Sequence, residues 1–206
     1  MGMQKGPRPI HVGVSARHVH VTQEHLEILF GSGHTLTPLS PLSQPGQFAA
    51  RETLTLRSER GEIPGVRILG PVRSHTQVEL SLTDARRLKI TPPVKQSGSK
   101  GVGGVTLVGP AGEVPLTDSV IAAERHIHMS PENAAEFGVF DGARVNVRAA
   151  SGRAVLFENV LVRVNPNYDL DFHIDTDEAN AAGLRSGDKV ILINPFDVPS
   201  GPLRRR

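Results

Sequence analysis

Two short phrases in this chain carry paired histidines. Residues 17–22 read RHVHVT and residues 125–130 read RHIHMS. On an extended strand, residues i and i+2 point to the same side, with α-carbons roughly 6.5–7 Å apart. His18 and His20 therefore project together, as do His126 and His128, and imidazoles at that spacing can converge on one metal ion. A single His-x-His is a weak signal, because a solvated strand face produces it by chance. Two copies in one local phrase, each preceded by Arg and followed by a helix-start residue, point to metal ligation. A donor set of nitrogen and oxygen suits zinc, with cobalt, manganese or iron as alternatives. Each pair alone is an incomplete shell, so two nearby ions fit better than one crowded ion.

Two weaker echoes extend the pattern. In VELSLTDARRL, Glu79 stands shortly before Thr83; in FHIDTDEANAAGL, His173 stands shortly before Thr176. Four times a His or Glu leaves a strand just ahead of a capped short helix, which reads as an old duplication whose strand ends converge. Glu79 could add a bridging carboxylate and His173 a further nitrogen. The helices run on into similar phrases, FGVFDGARV at 137–145 and AGLRSGDKV at 182–190.

Residues 66–79, VRILGPVRSHTQVE, place Arg67 and Arg73 on either side of a Gly-Pro turn. Arg73 comes close enough in sequence to Glu79 to overhang a metal site, and an Arg fork suits a phosphate oxyanion bidentately. An ordinary surface Arg is an equal alternative. His11, His25, His34 and His75 have no evident partners; His25 falls on a helix face, and His75, close after Arg73, could touch a ligand but reads first as an exposed loop residue. SQPGQFAA, residues 43–50, says only that a loop is present.

The elements that must position these groups are short. Alternating stretches predict strands over Ile10–Val14, Thr53–Arg57, Val66–Leu69, Gln77–Leu80, Val105–Val108, Val145–Val147, Val155–Arg163 and Lys189–Ile193. Helical candidates are Gln23–Phe30, Asp84–Leu88, Pro131–Phe137 and Asp177–Ala182. Thr22 precedes the first, and Ser130 with Pro131 opens the third in the cap-then-proline order favoured at helix starts. Residues 92–104, PPVKQSGSKGVGG, read as a flexible loop or linker. The class is mainly β with helical caps, in barrels or sandwiches.

Composition narrows the chemistry. The 206 residues suffice for one large domain or two small ones, and 38% hydrophobic with 21% charged residues suits a globular chain. Seven Phe, one Tyr and no Trp leave too few aromatics to stack single-stranded nucleic acid. The formal charge is only +2, and part of the basic excess sits in Arg204, Arg205 and Arg206, expected to be a frayed end, so no nucleic-acid partner is expected. With no Cys, thiolate ligands and an acyl-cysteine intermediate are excluded. No apolar run reaches membrane-spanning length, and residues 1–10 lack a signal-peptide core; the expected location is the cytoplasm, with no membrane partner. P-loop, nucleophile-elbow and dinucleotide fingerprints are missing.

Together, GVSARHVHVT, QPGQFAARET, VRILGPVRSHTQVELSLTDA, RHIHMSPENAAEFGVFDG and HIDTDEANAAGL resemble the PduL-type phosphotransacylases, or phosphate propanoyltransferases, from about residue 10 to residue 193. The resemblance implies two β-barrel domains capped by short α-helices and interleaved in sequence. Residues 10–16 plus 124–195 would form one barrel and residues 17–123 the other. A small lid around 35–55, bearing the QPG turn, would cover an active site between them. It also implies a transferase that exchanges an acyl group between coenzyme A and phosphate, as in propanediol degradation, with two Zn(2+) per chain. His18, His20 and Glu79 would hold one ion and His126, His128 and His173 the other, with Glu79 able to bridge. Arg73 would be catalytic and bind phosphate. Val14, Ser15, Ala16, Arg60, Arg67 and Asn180 would contact coenzyme A.

The implied partners are acyl-CoA, phosphate and a second copy of the chain in a homodimer. Relatives housed in bacterial microcompartments often carry an amphipathic N-terminal peptide, and MGMQKGPRP is too short and too rich in Gly and Pro for one. Two rival readings use the same histidines. A metal-dependent acyl-CoA thioester hydrolase would release coenzyme A without phosphate. A structural metal-binding module would hold a closed shell and turn nothing over.

Overall fold

Alternation of β-branched and polar residues, broken every few positions by Gly, Pro and Asp, produces short strands and shorter helices. A computed structural model describes residues 8–193. In chain order the elements begin with β1 (Pro9–Ser15), β2 (His18–His20), α1 (Gln23–Phe30), β3 (Pro38–Pro41), β4 (Phe48–Ser58) and β5 (Gly61–Gly70). Then come β6 (Gln77–Leu80), α2 (Leu82–Leu88), β7 (Val94–Lys95), β8 (Val105–Val108), β9 (Glu113–Leu116) and β10 (Val120–Ala123). The last third holds β11 (His126–Met129), α3 (Pro131–Phe137), β12 (Arg144–Ala149), β13 (Val155–Val164), β14 (Asp171–Asp175), α4 (Thr176–Ala182) and β15 (Lys189–Ile193). The Arg204–Arg206 tail lies outside the described residues.

The chain divides into two compact units. One comprises residues 8–13, 125–173 and 179–193; the other comprises residues 14–124 and 174–178. The first is built on a closed barrel in the order β1-β14-β11-β13-β12-β15. Ile10, Ile127, Val147, Val160 and Phe172 are fully buried there, each stabilising by about 1.5–3 kcal/mol over exposure. Its strand β1 pairs antiparallel with β15, Ile10 facing Val190, which ties the first described strand to the last.

The second unit is a nine-stranded curled sheet, a half-barrel, ordered β7-β10-β6-β2-β5-β4-β8-β9 with β3 on β4. Its core gathers Val19, Leu54, Leu56, Ile63, Ile68, Val78 and Leu107 with Leu26 and Leu29 of α1 and Leu88 of α2. The QPG turn is the tip of the β3–β4 hairpin, closed by Leu42 N–H to Gln47 O at 3.0 Å, with Gly46 at φ +75.

Three sequence expectations need correction, one of them the fourth helix, which starts at Thr176 and not at Asp177 because Asp175 is its cap. Residues 92–104 are not a free linker: β7 pairs with β10, Val94 opposite Ala122, and Val102 bridges Val120. These partners are distant in sequence, so local Gly and Ser content conceals them. The second helix starts at Leu82 and not at Asp84, because Ser81 is its cap; Ser81 Oγ accepts from Asp84 N–H at 3.2 Å.

The corrected cap makes the duplication regular. Thr22, Ser81 and Ser130 each accept from the N–H three residues on, at 3.1, 3.2 and 3.3 Å. Asp175 does the same for Glu178 at 2.8 Å, and the Glu178 carboxylate returns to Asp175 N–H at 3.3 Å, a reciprocal capping box. His20, Glu79, His128 and His173 each stand two residues before such a cap. A strand thus delivers a donor side chain and a capped helix then turns the backbone away.

Candidate metal centre

In the curled sheet, β2 runs parallel to β5 and antiparallel to β6. His18 is in register with Glu79, and His20 with Gln77. His18, His20 and Glu79 are all buried, and one donor atom from each lies within 4.8 Å of the others. Nε2 of His18 is 3.6 Å from Glu79 Oε2, and Nε2 of His20 is 4.0 Å from Oε1. The opposite ring nitrogens are committed to the backbone. Nδ1 of His18 donates to Ala16 O at 2.9 Å, and Nδ1 of His20 to Leu69 O at 3.3 Å. That tautomer leaves both Nε2 lone pairs on the Glu79 side, as metal-bound histidines require.

Burial chiefly holds His20 in its neutral form, reinforced by His18 and Arg73, and its pKa falls to about 2. Arg73 is fixed by its N–H to Val21 O at 2.8 Å, and its Nη1 reaches Ser97 Oγ at 3.5 Å. Ser97 in turn donates to Glu79 Oε1. The loop carrying Ser97 is held by Gln77, whose amide accepts from Gly98 N–H and donates to Ser99 O, both at 2.7 Å.

The barrel repeats this arrangement. β11 runs parallel to β13 and antiparallel to β14, placing His126 in register with His173 and His128 with Asp171. The three imidazoles cluster with ring centroids 4.6, 5.2 and 4.7 Å apart, and a donor atom from each again lies within 4.8 Å of the others. Burial pushes His128 down to about 2, helped by His126, His173 and Arg163. Nδ1 of His128 is buried without a hydrogen-bond partner. A buried imidazole nitrogen without a hydrogen-bond partner, on a ring packed against two other histidines, is the donor chemistry of a metal ligand, and both clusters fit zinc.

The remaining candidate residues are placed as follows. Ser15 Oγ lies 3.3 Å from His18 Nδ1, with Val14 and Ala16 beside it. Arg67 is in register with His18 and donates to Ala50 O and Arg51 O at 3.0 and 2.8 Å. Arg60 is exposed on the β4–β5 turn, and Asn180 is exposed on α4. The Arg of each repeated phrase is architectural. Arg17 forks onto Asp84 at 3.0 and 3.2 Å, and Arg125 donates to Glu158 O at 3.1 and 2.7 Å. His25 bonds Thr76 at 2.7 Å and His34 bonds Glu52 at 3.1 Å. Ser97, Gln77 and Asp171 were missed from sequence. Only the period-2 spacing of Gln77 to Glu79 and of Asp171 to His173 could have drawn attention to two of them.

The model of the phosphate propanoyltransferase family matches residues 11–185, a span that contains both histidine clusters. The chain belongs to this family. It is 52% identical over 186 residues to the phosphate propanoyltransferase of Thermotoga maritima, covering 89% of each chain. With that of Shewanella putrefaciens it shares 49% over 189 residues, 91% of this chain and 89% of the relative. With that of Salmonella typhimurium it shares 49% over 178 residues, 85% and 84%. Membership makes the chain an enzyme, a phosphotransacylase exchanging an acyl group between coenzyme A and phosphate. Among the described residues no helix is long and apolar enough to cross a membrane.

Proposed function

We propose that the chain moves a short acyl group, propanoyl or acetyl, between coenzyme A and inorganic phosphate, using one zinc ion in each histidine cluster. The observation that carries this reading is the paired set of donors, five of the six buried, each already oriented on a strand pair and two of them held neutral by burial. His18, His20 and Glu79 hold one ion, and His126, His128 and His173 the other. Bound zinc would supply Lewis-acid polarisation of the thioester carbonyl and stabilisation of the departing thiolate.

The chain's own residues do the rest. Arg73 forks onto phosphate and neutralises charge as a phosphate oxygen attacks the carbonyl carbon. Ser97 fixes the guanidinium relative to Glu79. The C–S bond breaks as the C–O bond to phosphate is made, and transfer is direct, since the chain has no Cys to carry the acyl group. Val14, Ser15 and Ala16 line the approach of coenzyme A to His18. Arg67 and Arg60, spread along one hairpin, suit its extended phosphate-bearing arm, and Asn180 contributes a further polar contact. The β3–β4 hairpin serves as the lid. From the family resemblance we infer a homodimer working in the cytoplasm.

The test is coenzyme A release from propionyl-CoA, with and without phosphate, before and after treatment with a chelator. Release that needs both phosphate and metal supports the proposal. Release without phosphate replaces it with the thioester hydrolase, and release that survives complete metal removal sinks the zinc assignment.

A further inference from the structure

The two clusters are built on the same strand pattern but differ in charge. In the curled sheet the residue paired with His18 is the carboxylate Glu79, and the residue paired with His20 is the neutral Gln77. In the barrel the residue paired with His126 is the imidazole of His173, and the residue paired with His128 is the carboxylate Asp171. Each cluster holds one carboxylate, and its place has been exchanged. Asp171 is buried and does not share the metal-ligating geometry of the three histidines. Its Oδ2 lies 2.9 Å from Nε2 of His173. When that carboxylate is ionised it only accepts, and the proton of the pair then sits on Nε2.

We infer that Asp171 is a positioning residue that holds His173 as the Nε2–H tautomer, so that His173 binds its ion through Nδ1 and the barrel cluster gains the negative charge its three imidazoles lack. This rests on the two-ion reading above. A dication among neutral ligands in a buried place is costly without a nearby anion, and a carboxylate hydrogen-bonded to the far nitrogen of a ligating imidazole also raises its basicity. The two units then reach one charge state by different routes, Glu79 as a direct ligand and Asp171 one bond further out. His18 and His20 bind through Nε2 and His173 through Nδ1.

Gly13 on β1 is part of the device. A β-carbon there would stand 2.8 Å from Cδ2 of His173 and 2.9 Å from both Asp171 Oδ2 and His173 Nε2. Only glycine lets the strand pass this close to the pair.

The experiment is zinc titration of the full chain against a chromophoric chelator. Wild type should bind two ions, and Asp171→Asn should keep one at unchanged affinity and bind the other about 10- to 100-fold more weakly. Gly13→Ala should weaken the same ion. Two ions at wild-type affinity in Asp171→Asn overturn the inference and leave the two-ion reading standing. Fewer than two ions in wild type overturn that reading and this inference with it. A second measurement needs no variant: in zinc-loaded wild type with 15N-labelled histidine, His173 should carry its proton on Nε2. A proton on Nδ1 overturns the inference.

Discussion

Ser97 donates its hydroxyl to Oε1 of Glu79 and receives Nη1 of Arg73 on the same oxygen at 3.5 Å. One small side chain therefore links Glu79, proposed as a metal ligand, to Arg73, proposed to bind phosphate. Its position is not left to chance, since Gln77, 2% exposed, grips the backbone on both sides of the loop tip.

Removing that link should lower phosphate use without emptying the site. A hydrogen bond to a charged group contributes about 1.5–3 kcal/mol. Ser97→Ala should therefore reduce kcat/KM for phosphate about tenfold or more, while zinc content stays at the wild-type level. Steady-state kinetics at varied phosphate, paired with metal analysis, decides this. An unchanged phosphate dependence removes Ser97 from the site.

Arg73 itself should matter more, and in a way that charge alone does not restore. Arg73→Ala should raise KM for phosphate and lower kcat together, by about 100-fold or more in kcat/KM, the scale of losing one charged contact to a developing oxyanion. Arg73→Lys should recover only part of this, because an ammonium lacks the planar fork. Full activity in Arg73→Ala at low phosphate would contradict the assignment.

Much of this centre is legible in the sequence because strand geometry is local. His18 with His20, and His126 with His128, need only the period of two to be placed together. Arg73 and Glu79 follow from one turn. What is not legible depends on partners far apart in the chain. Ser97 sits in a Gly- and Ser-rich stretch that reads as linker until β7 is paired with β10. Asp171 is an unremarkable acid until β14 is set against β11 and Gly13 clears space for it. The curled sheet and the closed barrel share strand types, and only long-range register separates them.

Helix caps show the same limit at short range. Ser81 and Thr83 are both cap-forming types, and the sequence favours Thr83. The structure selects Ser81, extended at φ −75 and ψ 161, nearly the backbone geometry of Ser130 at φ −74 and ψ 163. Ser81→Ala should cost about 1 kcal/mol of unfolding free energy and Thr83→Ala less than about 0.5. Denaturant melts of the two variants distinguish the caps, and equal costs would refute the assignment.

Acid should destabilise the metal-free protein in a defined window. Burial, helped by neighbouring histidines and arginines, depresses His20 and His128 to about 2 from an ordinary value of 6.5. The unfolded chain therefore binds protons that the folded chain refuses. Stability from these two groups is fully present above about pH 6.5 and falls as pH drops from there toward 2, by roughly 1.4 kcal/mol per pH unit for each group. Urea unfolding of chelator-treated protein at several pH values should show this loss, and His128→Gln should reduce the slope. A flat profile from pH 7 to pH 5 would mean that these imidazoles are not held neutral by the fold.

Glu79 offers the sharpest separation of the two clusters. It is the only carboxylate among the six proposed ligands, and it is grouped with His18 and His20. Replacing it with the isosteric amide removes a negative charge and a strong donor from His18 and His20 and leaves the barrel strands untouched. Glu79→Gln should therefore fall from two zinc ions per chain to one, with the retained ion as tightly held as in wild type. Its acyl transfer should be lost while thermal unfolding shifts little. The corresponding change in the barrel, His173→Gln, should also leave one ion, held this time by His18, His20 and Glu79. Cobalt substitution then reads out which cluster is filled, since a site with a carboxylate ligand and a site of three imidazoles give different visible spectra. Indistinguishable spectra from the two variants would mean that the ligand sets are not divided as the strand registers divide them.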